Sequence, residues 1–264
     1  MSPAQMPPAR VPVDAPIRSF SGLTNAYVVG SDDALLVDPA GESAELDEAV
    51  ADRETAHVAV THHHKDHVGA VAHYAREYDL TVWARAGREE EFESATGTVP
   101  DRRFRPGETI PVASGVGVID TPGHAPEHVG FVVDSGLVSG DLAVAAGSVV
   151  VGSPEGDVRA YLSSLRRVHA RSPDRLFPAH GPIIDDPRAT CERLLDHRLD
   201  RESRVLDAVE AGHDTPAAIV DTIYEKDVSD VYNLALATVV AHLEKLDVEG
   251  CVRWDERRAR PVDT

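Results

Sequence analysis

Lysine is nearly missing from this 264-residue sequence, which contains only Lys65, Lys226 and Lys245 among 26 basic residues. Acidic residues number 45, so the formal net charge is −19. An acidic surface with so little lysine predicts a halophilic protein of a salt-filled cytoplasm, where the Debye length shrinks to ~3 Å at 1 M salt and self-repulsion is screened. A GC-rich genome that favours arginine is the alternative explanation.

Cysteine is also scarce. Cys191 and Cys251 lie far apart and form no CxxC pair. This pattern excludes a disulfide framework and a cysteine-based metal site. We expect both residues to be small buried hydrophobes.

Long hydrophobic runs are absent as well. No apolar stretch approaches the ~20 residues that a membrane-spanning helix requires, although the hydrophobic content of 42% is ordinary for a globular protein. The amino terminus is rich in proline and lacks the apolar core of a secretory signal, which predicts a cytoplasmic protein with no membrane partner.

Strand and helix patterns alternate along the first part of the chain, which predicts an α/β fold. From about Pro187 onward the pattern becomes mostly helical, and the chain closes with the short strand "CVRW". We therefore predict two domains, residues 1–186 and residues 187–264. Thr215 before Pro216 predicts a helix start, and Gly212 and Gly250 predict helix ends.

The carboxyl-terminal domain resembles a small winged-helix module. Winged helices often bind DNA, but residues 187–264 carry 11 basic and 17 acidic side chains, a balance of 11 − 17 = −6. DNA binding is therefore not expected. A domain that packs against the first one, or that forms the face of a homodimer, fits the charge better.

The stretch "THHHKDHVGA" places four histidines and one aspartate in six consecutive positions after an apolar strand. Imidazole and carboxylate ligands without thiolates suit zinc, with iron or manganese as alternatives. Three further ligand-type residues each follow a predicted strand, and the candidate metal ligands are thus His62, His64, Asp66, His67, His124, Asp141 and His180.

These motifs, H-x-H-x-D-H, T-P-G-H, G-D and A-H-G, together resemble the metallo-β-lactamase superfamily over roughly residues 20–185. The resemblance implies a four-layer αββα sandwich with the site along one edge of its two sheets. It also implies two divalent metal ions. His62, His64 and His124 would hold the first metal; Asp66, His67 and His180 would hold the second, with Asp141 bridging both.

The implied activity is hydrolysis by a hydroxide that bridges the two cations. Asp66 would be the catalytic residue that accepts or orients its proton, so no serine or cysteine nucleophile is required. Lys65 is expected to face solvent. His63 should point away from the site because neighbours in an extended segment alternate in direction, and His128 is a candidate to support the ligands from behind.

The chain ending resembles the branch that contains the mitochondrial β-lactamase-like protein 2, an endoribonuclease that acts on single-stranded RNA. His197, Arg198 and Arg201 either contact a substrate phosphate or carboxylate, or form ion pairs along a helix. Three functions remain open: an RNA phosphodiesterase, a thioester or ester hydrolase of glyoxalase II type, and, against the complete ligand set, a non-catalytic nucleic-acid-binding regulator.

Overall fold

The computed structural model describes residues 6–15, 22–112, 115–224 and 228–262. The chain forms two compact units. The first comprises Met1–Thr121, Glu127–Gly147 and Arg171–Thr190, and the second comprises Pro122–Pro126, Ser148–Ala170 and Cys191–Thr264. The predicted domain ranges, 1–186 and 187–264, stay a prediction.

The first unit contains two β-sheets. The six-stranded sheet runs in chain order and consists of β1 (Ala9–Asp14), β2 (Leu23–Val29), β3 (Ala34–Val37), β4 (Thr55–Ala59), β5 (Thr81–Arg85) and β6 (Arg102–Phe104). The five-stranded sheet has the order β11-β10-β9-β8-β7, with β7 (Thr109–Ile110), β8 (Val116–Asp120), β9 (Val129–Val133), β10 (Gly136–Gly140) and β11 (Leu176–Pro178). Pairing is parallel from β3 to β6 and between β10 and β11, and antiparallel elsewhere in both sheets.

The two sheets of this unit pack face to face through one apolar cluster. Tyr27 and Leu35 of the first sheet belong to it together with Phe131 and Phe177 of the second, and the rings of Tyr27 and Phe177 meet edge to face with centroids 5.9 Å apart. Because successive strand residues point to opposite faces, the other face of the six-stranded sheet carries a second cluster.

This second cluster packs the six-stranded sheet against helices. The helices are α1 (Ala44–Asp52), α2 (Lys65–Val68), α3 (Val71–Glu77) and α4 (Glu89–Thr96). Leu46, Tyr74 and Phe92 contribute their side chains from α1, α3 and α4. Ser43 caps α1 by accepting a hydrogen bond from the backbone of Leu46, which explains where that helix begins.

The second unit is mainly helical. Its elements are α5 (Val158–Arg171), α6 (Pro187–Glu210), α7 (Pro216–Ile223), α8 (Tyr232–Val248), β12 (Val252–Trp254) and β13 (Ala259–Pro261); the first residues of α6 and the last of α5 belong to the first unit. Val209, Ile219, Leu243 and Val252 share one buried cluster. As predicted, Thr215 caps α7, and Gly212 and Gly250 adopt positive φ after a helix.

Three local features became apparent only in the structure. Residues 9–14 within the proline-rich start form strand β1, which pairs along its whole length with β2. A short helix, α2, carries Asp66 and His67. Cys191 is buried as predicted, but Cys251 is exposed, so the prediction of burial was wrong for that residue. Cys251 directly follows the glycine turn after α8, where the chain has left the buried helix face.

None of the described helices combines the length and apolarity that a membrane crossing requires.

Candidate metal centre

Four site residues of the first unit follow the carboxyl ends of four strands. Asp38 follows β3, His62 comes shortly after β4, Asp141 follows β10 and His180 comes just after β11. Because β3 and β4 are parallel neighbours, as are β10 and β11, the residues after each pair of strands emerge at the same end of a sheet. The fold thus brings together side chains that are more than 100 positions apart.

Hydrogen bonds to the Nδ1 atoms fix the tautomer of three histidines. His67 Nδ1 donates to Asp38 Oδ2 at 3.0 Å, and His180 Nδ1 donates to the carbonyl oxygen of Leu23 at 3.0 Å. His62 Nδ1 lies 3.1 Å from the hydroxyl of Thr61, whose own proton is donated to Asp38. A neutral imidazole with a proton on Nδ1 carries its lone pair on Nε2, so in all three rings Nε2 is the nitrogen that can bind a cation.

These Nε2 atoms converge on the predicted carboxylates. His180 Nε2 lies 3.4 Å from Asp141 Oδ1 and 3.6 Å from Asp66 Oδ2, and His67 Nε2 lies 3.7 Å from Asp141 Oδ2. Ligands at ~2.1 Å from a tetrahedral zinc ion are about 3.4 Å apart. The separations are thus too long for good hydrogen bonds but suit groups that share a cation.

The first unit contains two groups of potential ligands, and within each group the ligand atoms lie within 4.8 Å of one another. The first group is His62, His67 and Asp141, and the second is Asp66, His67 and His180. In addition, His62 Nε2 lies 3.0 Å from His64 Nδ1. His67 Nε2 is buried and has no hydrogen-bond partner within the described part of the chain. A buried lone pair of this kind is costly unless it binds something, so the residues present fit a metal ion.

His124 belongs to the second unit. Its Nδ1 lies 2.6 Å from the carbonyl oxygen of Val150 in the same unit. A carbonyl oxygen only accepts, so Nδ1 is protonated and Nε2 is again the nitrogen with ligand character. Its role as a ligand of the first metal stays a prediction.

The carboxylates of the first unit favour positive charge beside His67 and His180. Burial lowers the pKa of His67, but the charges of Asp38 and Asp141 overcome burial and hold that pKa well above its ordinary value. Burial likewise lowers the pKa of His180, and Asp141 reverses the direction so that the pKa is raised. Carboxylates that raise the pKa of a histidine also favour a metal cation beside it.

Sequence reasoning missed Asp38, which holds two parts of the site. Its Oδ1 accepts from the backbone of Thr61 at 2.7 Å, and its Oδ2 accepts from the hydroxyl of Thr61 and from His67. Asp38 is 1% exposed and has φ 53, a left-handed conformation that aspartate tolerates better than most residues. The available signal was an aspartate directly after the apolar strand in "LLVDPA", because a charged residue there needs a buried partner.

His128 supports the site from behind, as the sequence suggested. Its Nε2 accepts from the backbone N–H of Asp141 at 3.0 Å, and its Nδ1 lies 2.8 Å from the hydroxyl of Thr121. Gly140 is required beside it, because a Cβ there would lie 2.7 Å from His128 Nε2 and the backbone has φ 50. The ring of His128 thereby fixes the start of the segment that carries Asp141.

Two residues of the histidine motif lie outside the ligand groups. His63 donates its backbone N–H to Glu127 at 3.0 Å, and its ring packs edge to face on Phe92. Lys65 is exposed, in agreement with the expected solvent-facing position.

Within the described residues, Arg198 and Arg201 of α6 make backbone and aromatic contacts in place of the expected ion pairs along the helix, and their contact with a substrate stays a prediction. Arg198 is 2% exposed, donates to the carbonyl oxygen of Val149 and lies over the ring of Tyr161. Arg201 lies 4.1 Å from the ring centroid of Tyr224. Glu202 of the same helix pairs with Lys245 at 2.8 Å.

Comparisons with known families agree with this geometry. The model of the metallo-β-lactamase superfamily matches residues 21–180, and that of the β-lactamase associated winged helix domain matches residues 215–260. The chain therefore belongs to the metallo-β-lactamase superfamily and carries a carboxyl-terminal winged-helix domain.

Two curated relatives extend over most of the chain. A β-lactamase-like protein 2 homolog of Drosophila melanogaster is 29% identical over 250 residues, which is 87% of this chain and 84% of the relative. An atrochrysone carboxyl ACP thioesterase of Aspergillus fumigatus is 25% identical over 230 residues, 79% of this chain and 70% of the relative.

Solved structures share the fold. A metallo-β-lactamase family protein from Thermus thermophilus matches with a TM-score of 0.77 and 22% identity, covering 97% of this chain and 98% of the other. A second protein, crystallised in a di-iron-bound form, matches with a TM-score of 0.56 and 27% identity, covering 73% of this chain and 98% of the other.

Proposed function

We propose that this protein is a hydrolase that depends on two divalent metal ions. His62, His64 and His124 would hold the first ion, Asp66, His67 and His180 the second, and Asp141 would lie between them. The observation that carries the proposal is the convergence of His67, His180, Asp66 and Asp141, whose ligand atoms are 3.4–3.7 Å apart. Zinc suits this nitrogen and oxygen donor set, with iron or manganese as alternatives.

Two cations at this centre would supply a Lewis acid and a hydroxide nucleophile near neutral pH. The residues themselves orient and accept protons. Asp66 has a side chain that is 21% exposed and lies 3.6 Å from His180 Nε2. We assign to Asp66 the catalytic role of accepting and orienting the proton of the attacking water, because it is the more exposed of the two site carboxylates.

The proposed substrate is a phosphodiester of single-stranded RNA. This proposal is supported by the overlap with the β-lactamase-like protein 2 homolog, which includes the winged-helix part of the chain. A net charge of −19 opposes a polyanion at low ionic strength. Molar salt would screen that repulsion, so the proposal includes activity at high salt.

A thioester or ester substrate, as in glyoxalase II, is the second candidate. It is favoured by the similarity to an acyl carrier protein thioesterase and by the acidic surface, which repels an acyl thioester less than a nucleic acid. A non-catalytic regulator is the weakest candidate, because a nucleic-acid binder needs no convergent metal ligands.

The deciding experiment measures rates on a short single-stranded RNA and on an acyl thioester, with added zinc, iron or manganese, from low to molar salt. We expect metal-dependent turnover of one substrate that disappears in His64→Ala. A thioester rate higher by orders of magnitude would reject the nuclease assignment. No metal-dependent turnover of either substrate would reject both.

The remaining proposals concern the setting of the protein. We propose a cytoplasmic protein without a membrane partner, and a halophilic one because the net charge is −19 with only three lysines. We propose no DNA partner, because residues 187–264 have a charge balance of 11 − 17 = −6. A homodimer remains an open alternative that light scattering at high salt would test.

A further inference from the structure

His124 is held within the second unit by a backbone segment that precedes α5. Its Nδ1 donates to the carbonyl oxygen of Val150 at 2.6 Å. This bond sets both the tautomer and the rotation of the ring, because it leaves the lone pair on Nε2 and fixes the direction in which Nε2 points. The position of the segment at Val149 and Val150 therefore determines the orientation of His124.

The turn that carries His124 is fixed to helix α5. The carbonyl oxygen of Gly123 accepts from the backbone of Asp157 at 2.8 Å, and that of Pro122 accepts from the hydroxyl of Ser164 at 2.7 Å. Gly123 has φ +135, and a Cβ at this position would lie 2.3 Å from Cα of Tyr161. The turn thus lies directly against the backbone of α5 at Tyr161.

The side chain of Arg198 contacts both the Val149–Val150 segment and Tyr161 of α5. Arg198 donates a hydrogen bond to the carbonyl oxygen of Val149. Its guanidinium carbon lies 5.3 Å from the ring centroid of Tyr161, within range of a cation–π interaction. Arg198 forms no ion pair within the described part of the chain, although it is 2% exposed. A buried cation without a carboxylate is expensive, which indicates that this contact is retained for a purpose other than stability.

We propose that Arg198 is a positioning residue for His124: it ties the Val149–Val150 segment to Tyr161 of α5 and so sets the direction of the His124 Nε2 lone pair. The inference rests on the proposed function, in which His124 is a ligand of the first metal. It gives helix α6, which precedes the winged-helix domain, a role in metal binding.

The test compares three variants of the full chain. Arg198→Met removes the charge and the donor but keeps most of the side-chain volume, and Arg198→Lys keeps a charge and a donor. Arg201→Met is the matched control, because Arg201 lies one turn further along α6 and also covers an aromatic ring, that of Tyr224. Metal affinity is measured by titrating the metal-free protein with zinc against a chelator, and geometry is measured from the visible spectrum after cobalt substitution.

We expect Arg198→Met to weaken the binding of one of the two metal ions by about 10–100-fold, the usual effect of losing a group that orients a ligand. The cobalt spectrum should change for that ion alone. Arg198→Lys should recover part of the affinity, and Arg201→Met should match the wild type in both measurements. A folded Arg198→Met protein with wild-type affinity and spectrum would overturn the inference.

Two further results distinguish a failure of the positioning role of Arg198 from a failure of the proposed ligand set. If Arg198→Met does not fold, Arg198→Lys decides, because a lysine cannot contact both Val149 and the ring face as a guanidinium does; wild-type affinity in that variant would overturn the inference. If His124→Ala keeps both metal ions at full affinity, the proposed ligand set is wrong. If His124→Ala loses one ion and Arg198→Met loses none, only the positioning role is wrong.

Discussion

The two compact units both bury histidines, but they surround them with opposite charges. In the first unit, Asp38 and Asp141 raise the pKa of the fully buried His67 against the effect of burial. In the second unit, burial lowers the pKa of His242, and the positive charges of Arg198 and Arg201 add to that shift against Glu202. Both rings are 0% exposed.

The difference shows why burial alone does not identify a metal site. A histidine among carboxylates sits where a cation is favoured, whereas a histidine among arginines remains neutral and acts as a packing residue. The ring of His242 belongs to the helical core, and the ring of His67 belongs to the candidate centre. The charges within a few ångströms decide between the two roles.

Removing residues 187–264 should have the largest effect, because it deletes most of the second unit. The second unit includes residues 148–170, so this truncation leaves Tyr161 without Arg198 and Ser153 without the carbonyl oxygen of Ala237. It also removes the apolar residues Leu194, Leu195, Leu236 and Val240 that belong to the predicted packing module. We expect aggregation and complete loss of activity, measured by size-exclusion chromatography and metal-dependent rates. A soluble, monomeric and fully active truncated protein would contradict the packing role.

Asp141→Ala should abolish the function of the first unit and leave the second unit intact. The carboxylate lies within 3.7 Å of both His67 Nε2 and His180 Nε2, so its loss removes the group between the two proposed ions. We expect turnover to fall to background and the metal content to fall from two ions to one or none. Elemental analysis and circular dichroism check this, with Asp185→Ala at an exposed aspartate as the control. Two retained ions would refute the bridging role.

Asp38→Asn removes one negative charge beside His67 and so tests whether that charge favours a cation at the candidate centre. Asparagine tolerates the left-handed backbone at φ 53, so the fold should survive. We expect metal affinity to fall by about 10–100-fold, because the partner that orients a histidine ligand also raises its basicity. Chelator competition measures the change.

The chain offers a close control for that substitution. Asp33 also has positive φ and also binds a histidine, His57, at 3.0 Å, but His57 is outside the ligand groups. Asp33→Asn should therefore leave metal affinity unchanged. Equal losses in both variants would attribute the effect to general destabilisation.

The smallest expected effect concerns the pH dependence of stability in the second unit. Burial, followed by the charges of Arg198 and Arg201, lowers the pKa of His197 from 6.5 to about 4. As the pH falls through this window, the unfolded chain binds the proton before the folded one, so stability present above pH 6.5 is progressively lost. Urea unfolding of wild type and His197→Gln at several pH values checks this. The variant should show a shallower loss between pH 6.5 and pH 4, and equal slopes would show that His197 does not contribute.

Much of the secondary structure could be predicted from the sequence, because short local patterns of apolar and turn residues specify it. Apolar runs bounded by turn residues coincide with strands β2 to β5 and β8 to β11, and a capping threonine before proline marked the start of α7. The short strands β6, β7 and β13 and the proline-rich β1 do not stand out in this way. Such strands depend on a neighbouring strand for their hydrogen bonds, and their own sequences carry little periodicity.

The types and the order of the candidate ligands could be read from the sequence, because they are chemically distinctive residues that lie close to apolar strands. Which residues support these candidates from behind depends on the tertiary structure. Asp38 meets His67 across 29 positions, and Arg198 meets Val149 across 49. No local pattern records such contacts, since they depend on how strands and helices pack. The same reason explains Cys251, whose exposure follows from the turn after α8, and the compact unit that joins residues 148–170 to the carboxyl-terminal helices.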